Sequence, residues 1–467
     1  MSIFSSNKDK EHVGLKIIIV GCGKVGSNLV SQLIAEGHEI TVIDKLSSRI
    51  QEITNLYDVM GIVGNGASYT VQKEAGLDDT DLLVAVTGSD ELNMLCCTIA
   101  QQSVNCSTIA RVRTSDYSQE IGYLRDKLGI AMIVNPELDA ATEAANILGM
   151  PAALEVNPFA KGIAELVRFK VDEESILNGR TLMDLGSKNT ESILVGAIER
   201  DGDVYIPTGQ FRILAGDTVS VIGTRRSVAK FMEYAGLRNH TVRNAIIIGG
   251  GQSAYYLATQ LINMNIAVKI IERNMARCEE LSILLPKAVI IHADGTDEEV
   301  LREEGIVNAE AFIPLTGIDE QNIILTLYAK KICKGKVITK ITRIGFPEII
   351  SNLDLGSVLY PQKITAEAIT GYVRAMHNSR GCSNIETMYH LLNHNAEAVE
   401  FRVDEDNAAT NIPLKDLTLK KNYLVACIVR NGMTIIPGGA DYIKKGDSVV
   451  IITTERGVKD ISDIVAK

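Results

Sequence analysis

The sequence predicts an α/β protein built twice in tandem: two doubly wound parallel-sheet domains, each followed by a small β-rich α+β domain. Three observations carry this. The run KIIIVGCGKVGSNLV at 16–30 returns as NAIIIGGGQSAYYLA at 244–258. Gly21 and Gly249 lie 249 − 21 = 228 apart, Asp44 and Glu272 also 228, Thr87 and Thr316 229, and Arg200 and Arg430 230. So steady a displacement is a whole-domain duplication, not the short period of a solenoid. Within each copy short apolar strands alternate with amphipathic helices, the texture of a parallel sheet. Each copy then changes to short strands separated by glycine turns.

Composition narrows the function classes. At 467 residues the length prior is about three domains, and the internal division of each half makes four. A hydrophobic fraction of 46% is ample for packed cores. With 47 basic and 58 acidic residues the formal charge is −11, which argues against a nucleic-acid partner, because phosphate binding needs a basic footprint. No apolar run approaches the roughly 20 residues that span a bilayer. The polar start MSIFSSNKDKEHVG lacks the apolar core of a signal peptide. Eight cysteines show no paired CxxC spacing, so reduced core thiols are expected and no metal site.

In the first half, 15–20 is an apolar strand followed by Gly21-x-Gly23-x-x-Gly26 and an amphipathic helix over 27–35. The next strand, 39–43, ends in Asp44. Strand, glycine turn, helix, strand and acid in that order form the dinucleotide fingerprint of a Rossmann-like domain. Gly21 permits the tight turn, Gly23 leaves room for a pyrophosphate, and Gly26 lets helix and strand approach. The helix N-terminus presents unpaired N–H groups to phosphate, and Asp44 is placed to accept two ribose hydroxyls. Further strands are expected at 59–63, 82–86, 108–112 and 131–134, with helices over 67–75 and 91–101. Asn65-Gly66 and Thr87-Gly88 close two of the strands at the end where ligands bind in such sheets. Arg111 lies inside an apolar strand, either facing the cofactor crevice or in a salt bridge at the sheet edge.

The second half repeats this with edits. Gly249-x-Gly251-x-x-Ala254 softens the third glycine, and Glu272 replaces Asp44. Asp294-Gly295 stands for Asn65-Gly66, Thr316 for Thr87, and Lys340 for Arg111. Gln252 replaces Lys24, so a cation beside the phosphate loop is lost. The first site is expected to bind nucleotide more firmly than the second.

Helices are expected over 136–148 and again over 361–376. Strands follow at 164–171, 190–200, 204–206 and 218–222, with hairpin signals at Asp201-Gly202 and Asn431-Gly432. GRTLMDL and AGDTVSVIG recur as NIPLKDL and KKGDSVVIIT. A binding or dimerisation role suits this domain better than chemistry. A dehydrogenase would need an acid or base beside the nicotinamide. None of the seven histidines (His12, His38, His240, His292, His377, His390, His394) recurs at the repeat displacement. A twice-present nucleotide site without catalytic company reads as regulatory. A soluble NAD-dependent oxidoreductase and a scaffold with vestigial sites are the rival readings.

The order fingerprint, Asp44, GNGAS, VTGSDELNM, IARVR, NPE, then the GRTLMDL…AGDTVSVIG module, and all of it again, resembles the cytoplasmic RCK/KTN subunits of bacterial potassium uptake. The resemblance covers nearly the whole chain. It implies RCK N-terminal domains at 14–135 and 242–360, crossover helices at 136–150 and 361–378, and RCK C-terminal domains at 151–236 and 382–465. It implies a protein responsive to NAD(H) and ATP/ADP that forms a ring, as a homotetramer, beneath a TrkH- or TrkG-like membrane partner. Such a protein sits at the cytoplasmic face of the membrane and gates potassium flux. Carried over by position, Gly21, Cys22, Gly23, Lys24 and Val25 match the family's phosphate loop, Asp44 its ribose acid, Thr87-Gly88 its strand-four loop, and Arg111 its basic contact. In the second copy Gly249, Gly250, Gly251, Gln252, Ser253 and Glu272 match.

Overall fold

The structure is a computed structural model, describing residues 14–104, 106–114, 117, 120–150, 152–186, 193–237, 242–342, 350, 353–379, 385–391, 395–455, 458 and 460–466. His12, His240, His394 and the expected strand start at 190–192 lie outside the described residues.

The first sheet holds β1 (Lys16–Val20), β2 (Glu39–Asp44), β3 (Met60–Val63), β4 (Leu82–Ala85), β5 (Ser107–Arg111) and β6 (Met132–Val134). They are parallel in the order β3-β2-β1-β4-β5-β6. That is the doubly wound order whose chain reversal, between β1 and β4, opens a crevice at the C-terminal strand ends. Ile17 to Val20 are all buried, as a strand covered by helices on both faces requires. Ile18, Val20, Leu83 and Ala85 pack with Cys96, Cys97 and Ala100 of helix Asp90–Val104. Burial pushes both of these thiols up, so they behave as small apolar residues.

A second sheet repeats the plan further along the chain. Before it comes the first small domain, an antiparallel sheet of β7 (Glu155–Phe159), β8 (Ala164–Lys170), β9 (Ile193–Arg200), β10 (Asp203–Tyr205) and β11 (Thr218–Gly223), in the order β10-β9-β11-β8-β7. The repeat of the parallel sheet is β12 (Asn244–Ile248), β13 (Ala267–Glu272), β14 (Val289–His292), β15 (Ala311–Pro314), β16 (Lys336–Lys340) and β17 (Ser357–Leu359), ordered β14-β13-β12-β15-β16-β17. The last sheet is β18 (Ile385–Leu391), β19 (Ala396–Arg402), β20 (Tyr423–Arg430), β21 (Met433–Ile435) and β22 (Ser448–Thr453), ordered β18-β19-β22-β20-β21. The α/β fold class, duplicated in tandem, is as the repeat predicted.

The chain divides into two compact units. One joins the first Rossmann-like domain, up to Pro136, with Gln362–Thr370; the other holds 137–361 and 371–467. In the first, Thr370 Oγ1 donates to Gln32 Oε1 at 3.0 Å. In the second, helix Pro136–Gly149 lays Ala141, Ala144, Ile147 and Leu148 against Leu257, Ala258, Ile270 and Ile338 of the second Rossmann-like domain. Gln260 Nε2 donates to Thr142 Oγ1 at 3.0 Å on the same interface. Each Rossmann-like domain is thus covered by a helix from the other half of the repeat.

The two small domains pack sheet against sheet. Phe159, Leu166 and Ile222 meet Leu391, Ala398, Val450 and Ile452, and Phe159 stands edge-on to Tyr389 at 5.1 Å. Glu400 accepts the N–H of Ala160 at 3.1 Å across the same interface. The opposite face of the first domain is closed by helix Arg225–Tyr234, whose Phe231 and Met232 pack on Phe169 and Val221. That helix and β7 were not among the elements expected. β7 reads EVNPF, without clean alternation, and gains its register only from β8.

Lys336 and Ser357 hold the link between helix Pro136–Gly149 and β7. Lys336 Nζ donates to the Ala153 carbonyl, and Ser357 Oγ to the Leu154 carbonyl at 2.9 Å. Burial, with Lys330 nearby, pushes the Lys336 ammonium from its ordinary 10.5 down to about 8. A lysine depressed in the folded state binds fewer protons there than in the unfolded chain. Its destabilising effect is therefore full below pH 8 and is relieved as pH rises towards 10.5. Lys336→Met is expected to remove that rise in stability, on the order of 2 kcal/mol, as read by urea unfolding at pH 7.5 and pH 10.

Candidate functional site

Both glycine loops begin with a left-handed glycine, Gly21 at φ 103° and Gly249 at φ 93°. The helices that follow, Lys24–Ala35 and Gln252–Asn263, have Gly23 and Gly251 as N-caps, with no side-chain cap on either. Their first-turn N–H groups therefore await an acceptor. A Cβ built on Gly23, Gly88, Gly251 or Gly317 meets no atom within 4 Å. Packing within the chain does not demand glycine there, and the approach to the helix N-terminus stays open, as a diphosphate requires.

Gly26 differs. A Cβ there would lie 2.0 Å from the Gly21 carbonyl oxygen, so the helix rests directly on the turn. The second half seats Ala254 at the same place, fully buried. Gly26→Ala is expected to push the first loop off its helix and weaken nucleotide binding at least about tenfold, a cost of ~1.4 kcal/mol. Calorimetric titration with ADP checks this.

The acids hold the loops. Asp44 is buried, with Oδ2 accepting the Cys22 N–H at 2.8 Å and Oδ1 the Leu46 N–H at 2.9 Å. A carboxylate has about four acceptor positions, so two remain for ribose hydroxyls. Burial and the neighbouring Asp44 carboxylate push the Cys22 thiol up to about 12, which keeps it protonated. Glu272 repeats the arrangement, accepting from Gly250 N–H at 2.6 Å and Asn274 N–H at 2.7 Å. Lys24 is exposed on the first helical turn, Val25 is buried in the core, and Ser253 is buried. Gln252 Oε1 is enclosed without a hydrogen-bond partner among the described residues.

The strand-four loops are built alike. Thr87 N–H donates to Asn93 Oδ1 at 2.8 Å, and Asn93 Nδ2 donates to the Arg111 carbonyl at 2.8 Å. Arg111 Nη2 donates to the Thr87 carbonyl. β5 lies between β4 and β6, so Arg111 is not at the sheet edge. In the second half Thr316 N–H donates to Asn322 Oδ1 at 3.0 Å, Asn322 Nδ2 to the Lys340 carbonyl at 3.0 Å, and Lys340 Nζ to the Leu315 carbonyl at 3.0 Å. Ser253 and Lys340 face Ala140, Ala141 and Ala144 of helix Pro136–Gly149 across a narrow cleft. Asn65 Oδ1 accepts the Ala67 N–H at 3.3 Å, while Asp294 Oδ1 accepts the Thr296 N–H at 2.9 Å. The latter bonds hold the Asp294 carboxyl below its ordinary range. Both residues sit in the turn after an edge strand, β3 or β14.

The pairs Asn93/Asn322 and Asp90/Asp319 were missed, although 322 − 93 and 319 − 90 both equal 229. Asp90 Oδ2 accepts the N–H groups of Arg113 and Thr114, each at 2.9 Å. Asp319 Oδ1 accepts that of Thr342 at 2.9 Å. Applying the displacement to every polar residue, rather than to the glycines and acids alone, would have found them. Among the described residues no cluster of metal-ligating side chains occurs and no helix is long and apolar enough to cross a membrane. His292 lies exposed with Nε2 3.1 Å from the Arg273 carbonyl oxygen, and His38 Nδ1 accepts the Leu15 N–H at 3.1 Å.

Known proteins share this plan from end to end. The TrkA-N domain pattern matches residues 17–136 and 245–361, and the TrkA-C domain pattern 166–236 and 398–466. The Trk system potassium uptake protein TrkA homolog 1 of Methanosarcina mazei is 31% identical over 456 residues, covering 96% of this chain and 99% of its own. The Trk system potassium uptake protein TrkA of Halomonas elongata is 30% identical over 455 residues, covering 96% and 98%. Among solved structures, the GsuK channel bound to NAD superposes with a TM-score of 0.62 at 16% identity, covering 95% of this chain and 77% of that one. GsuK bound to ADP superposes with a TM-score of 0.50 at 14% identity, covering 77% and 69%. With both domain patterns present twice and relatives matched over their whole length, the chain belongs to the TrkA family of Trk potassium uptake proteins.

Proposed function

We propose that this TrkA-family regulatory subunit binds NAD(H) and ATP or ADP in its Rossmann-like domains and gates potassium flux through a TrkH- or TrkG-like membrane partner. The observation that carries the reading is the acid-held glycine loop in front of an open helix N-terminus, present twice. TrkA-family proteins are regulatory rather than enzymatic, which sets the oxidoreductase reading aside.

In this reading Asp44 holds the adenosine ribose, the N–H groups before Lys24–Ala35 hold phosphate, and Lys24 adds positive charge beside them. Glu272 and the loop Gly249, Gly250, Gly251, Gln252 and Ser253 form the second site. Thr87, Gly88, Asn65 and Arg111, with Asp294 and Thr316 in the second half, complete the rims. NAD and ADP are supported by the ligands in the GsuK structures, which share the fold. The protein assembles as a homotetrameric ring at the cytoplasmic face of the membrane. Nucleotides that bind one ring geometry better than another shift its population and so move the pore. Calorimetric titration with NADH, ATP and ADP tests the binding; saturable heats are expected. Potassium uptake by cells carrying only the Asp44→Ala chain tests the coupling, with loss of nucleotide control expected. Flat titrations with all three nucleotides would overturn the reading.

A further inference from the structure

An arginine follows each ribose acid by five residues, Arg49 after Asp44 and Arg277 after Glu272, at the repeat displacement 277 − 49 = 228. Each lies in the first turn of the helix that begins beside the acid, Ser47–Leu56 or Met275–Leu284. Their surroundings differ. Arg49 is 49% exposed, and its one ion pair among the described residues places Nη1 3.6 Å from Asp44 Oδ2, beyond hydrogen-bond reach. Arg277 is 19% exposed and doubly held: Nε donates to the Gly250 carbonyl at 2.6 Å, and Nη1 lies 2.6 Å from Glu280 Oε2.

Gly250 is thereby clamped through both its backbone groups, N–H to Glu272 and carbonyl to Arg277. Its counterpart Cys22 has its N–H held by Asp44 and a buried side chain in the position where Gly250 has none. Glu280 has an equivalent in Glu52 (280 − 228 = 52), so the tether of Arg277 comes from the fold around Gly250 and not from a missing partner in sequence. A guanidinium beside the ribose acid is placed to lie on an adenine face, where its planar cation is attracted by the ring.

We propose that these arginines set the unequal nucleotide affinity of the two halves. Arg49 closes over the adenine of a nucleotide seated on Asp44, whereas Arg277 is a latch on its own phosphate loop, and the second half takes adenine nucleotide when the latch releases the Gly250 carbonyl. This rests on the nucleotide-binding reading above.

The test is calorimetric titration of the full chain with ADP and with NADH, the two sites being assigned through Asp44→Ala and Glu272→Ala. Arg49→Met is expected to weaken the Asp44 site about tenfold and leave the other unchanged. Glu280→Gln, which removes one tether of Arg277, is expected to tighten the Glu272 site at least threefold and leave the Asp44 site unchanged. Both substituted side chains are about half exposed, and an unchanged thermal melt verifies the fold. Glu280→Lys, which repels Arg277, gives an independent second release. If the wild type binds and neither Arg49→Met nor the Glu280 variants move either site, the latch is overturned and nucleotide binding stands. If the wild type does not bind, the nucleotide reading itself falls.

Discussion

Asp44→Ala is expected to weaken adenine-nucleotide binding to the first half about 100-fold and to lower the stability of that half at the same time. The two effects share one carboxylate. Each ribose hydroxyl given to a charged acceptor is worth roughly 1.5–3 kcal/mol, and ~2.7 kcal/mol corresponds to 100-fold. Removal also orphans the N–H groups of Cys22 and Leu46, now held at 2.8 and 2.9 Å. A buried unpaired donor costs roughly 1–3 kcal/mol. A lowered melting temperature without nucleotide, together with a lost shift on adding NADH, is the combined result expected. A variant that melts lower yet still binds ADP as the wild type does would assign Asp44 to holding the loop alone.

The second large effect lies in the small domains. Asp217 is almost fully buried and accepts Arg200 Nε at 2.7 Å and Nη2 at 2.8 Å, with the Leu214 N–H at 2.8 Å closing the turn. Arg200 also lies 5.2 Å from the centre of the Phe211 ring. The second small domain has the same set: Arg430 Nε and Nη2 on Asp447, each at 2.8 Å, and the Lys444 N–H at 2.8 Å. Its aromatic is Tyr442, 5.5 Å from Arg430. Breaking a fully buried pair by deleting one partner costs about 3–5 kcal/mol, because the other charge stays behind unpaired. The cost here is smaller, since Arg200 is 29% exposed and keeps its bond to the Arg212 carbonyl. Asp217→Ala is therefore expected to lower the urea midpoint of the unit containing it, with Arg200→Met plus Asp217→Ala milder than Asp217→Ala alone. Equal loss in the single and double variants would show that the turn bond to Leu214, not the charge pair, carries the stability.

How much of this was legible in the chain depends on the range of the physics involved. The glycine loops, the acids at the ends of β2 and β13, and the order of parallel strands were readable because strand period, helix period and left-handed glycines are local properties. The repeat then multiplied each weak local signal by two. Asn93, Asp90 and Arg49 were not read as site residues, since an asparagine or arginine on a helix carries no meaning until the fold brings Thr87, Arg113 or Asp44 beside it. β7 was passed over because its burial comes from β8, not from a clean pattern of its own. Helix Arg225–Tyr234 did carry a legible signal, a Thr224 cap followed by Val228, Phe231 and Met232 at helical spacing.

The sequence by itself determined the duplicated α/β plan, the two glycine loops and the charge edits between them. Tertiary structure alone decided which helix covers which domain and how tightly each arginine is held. The small-residue face of Pro136–Gly149 would suit either parallel sheet by hydrophobicity, and only the packed chain shows Ala141 and Ala144 against Leu257 and Ile270. Arg49 and Arg277 likewise share sequence spacing and a glutamate three residues on. What separates them is visible only in the folded chain: Arg277 reaches the Gly250 carbonyl at 2.6 Å, whereas Arg49 stops 3.6 Å from Asp44, beyond the distance over which a guanidinium forms a hydrogen bond.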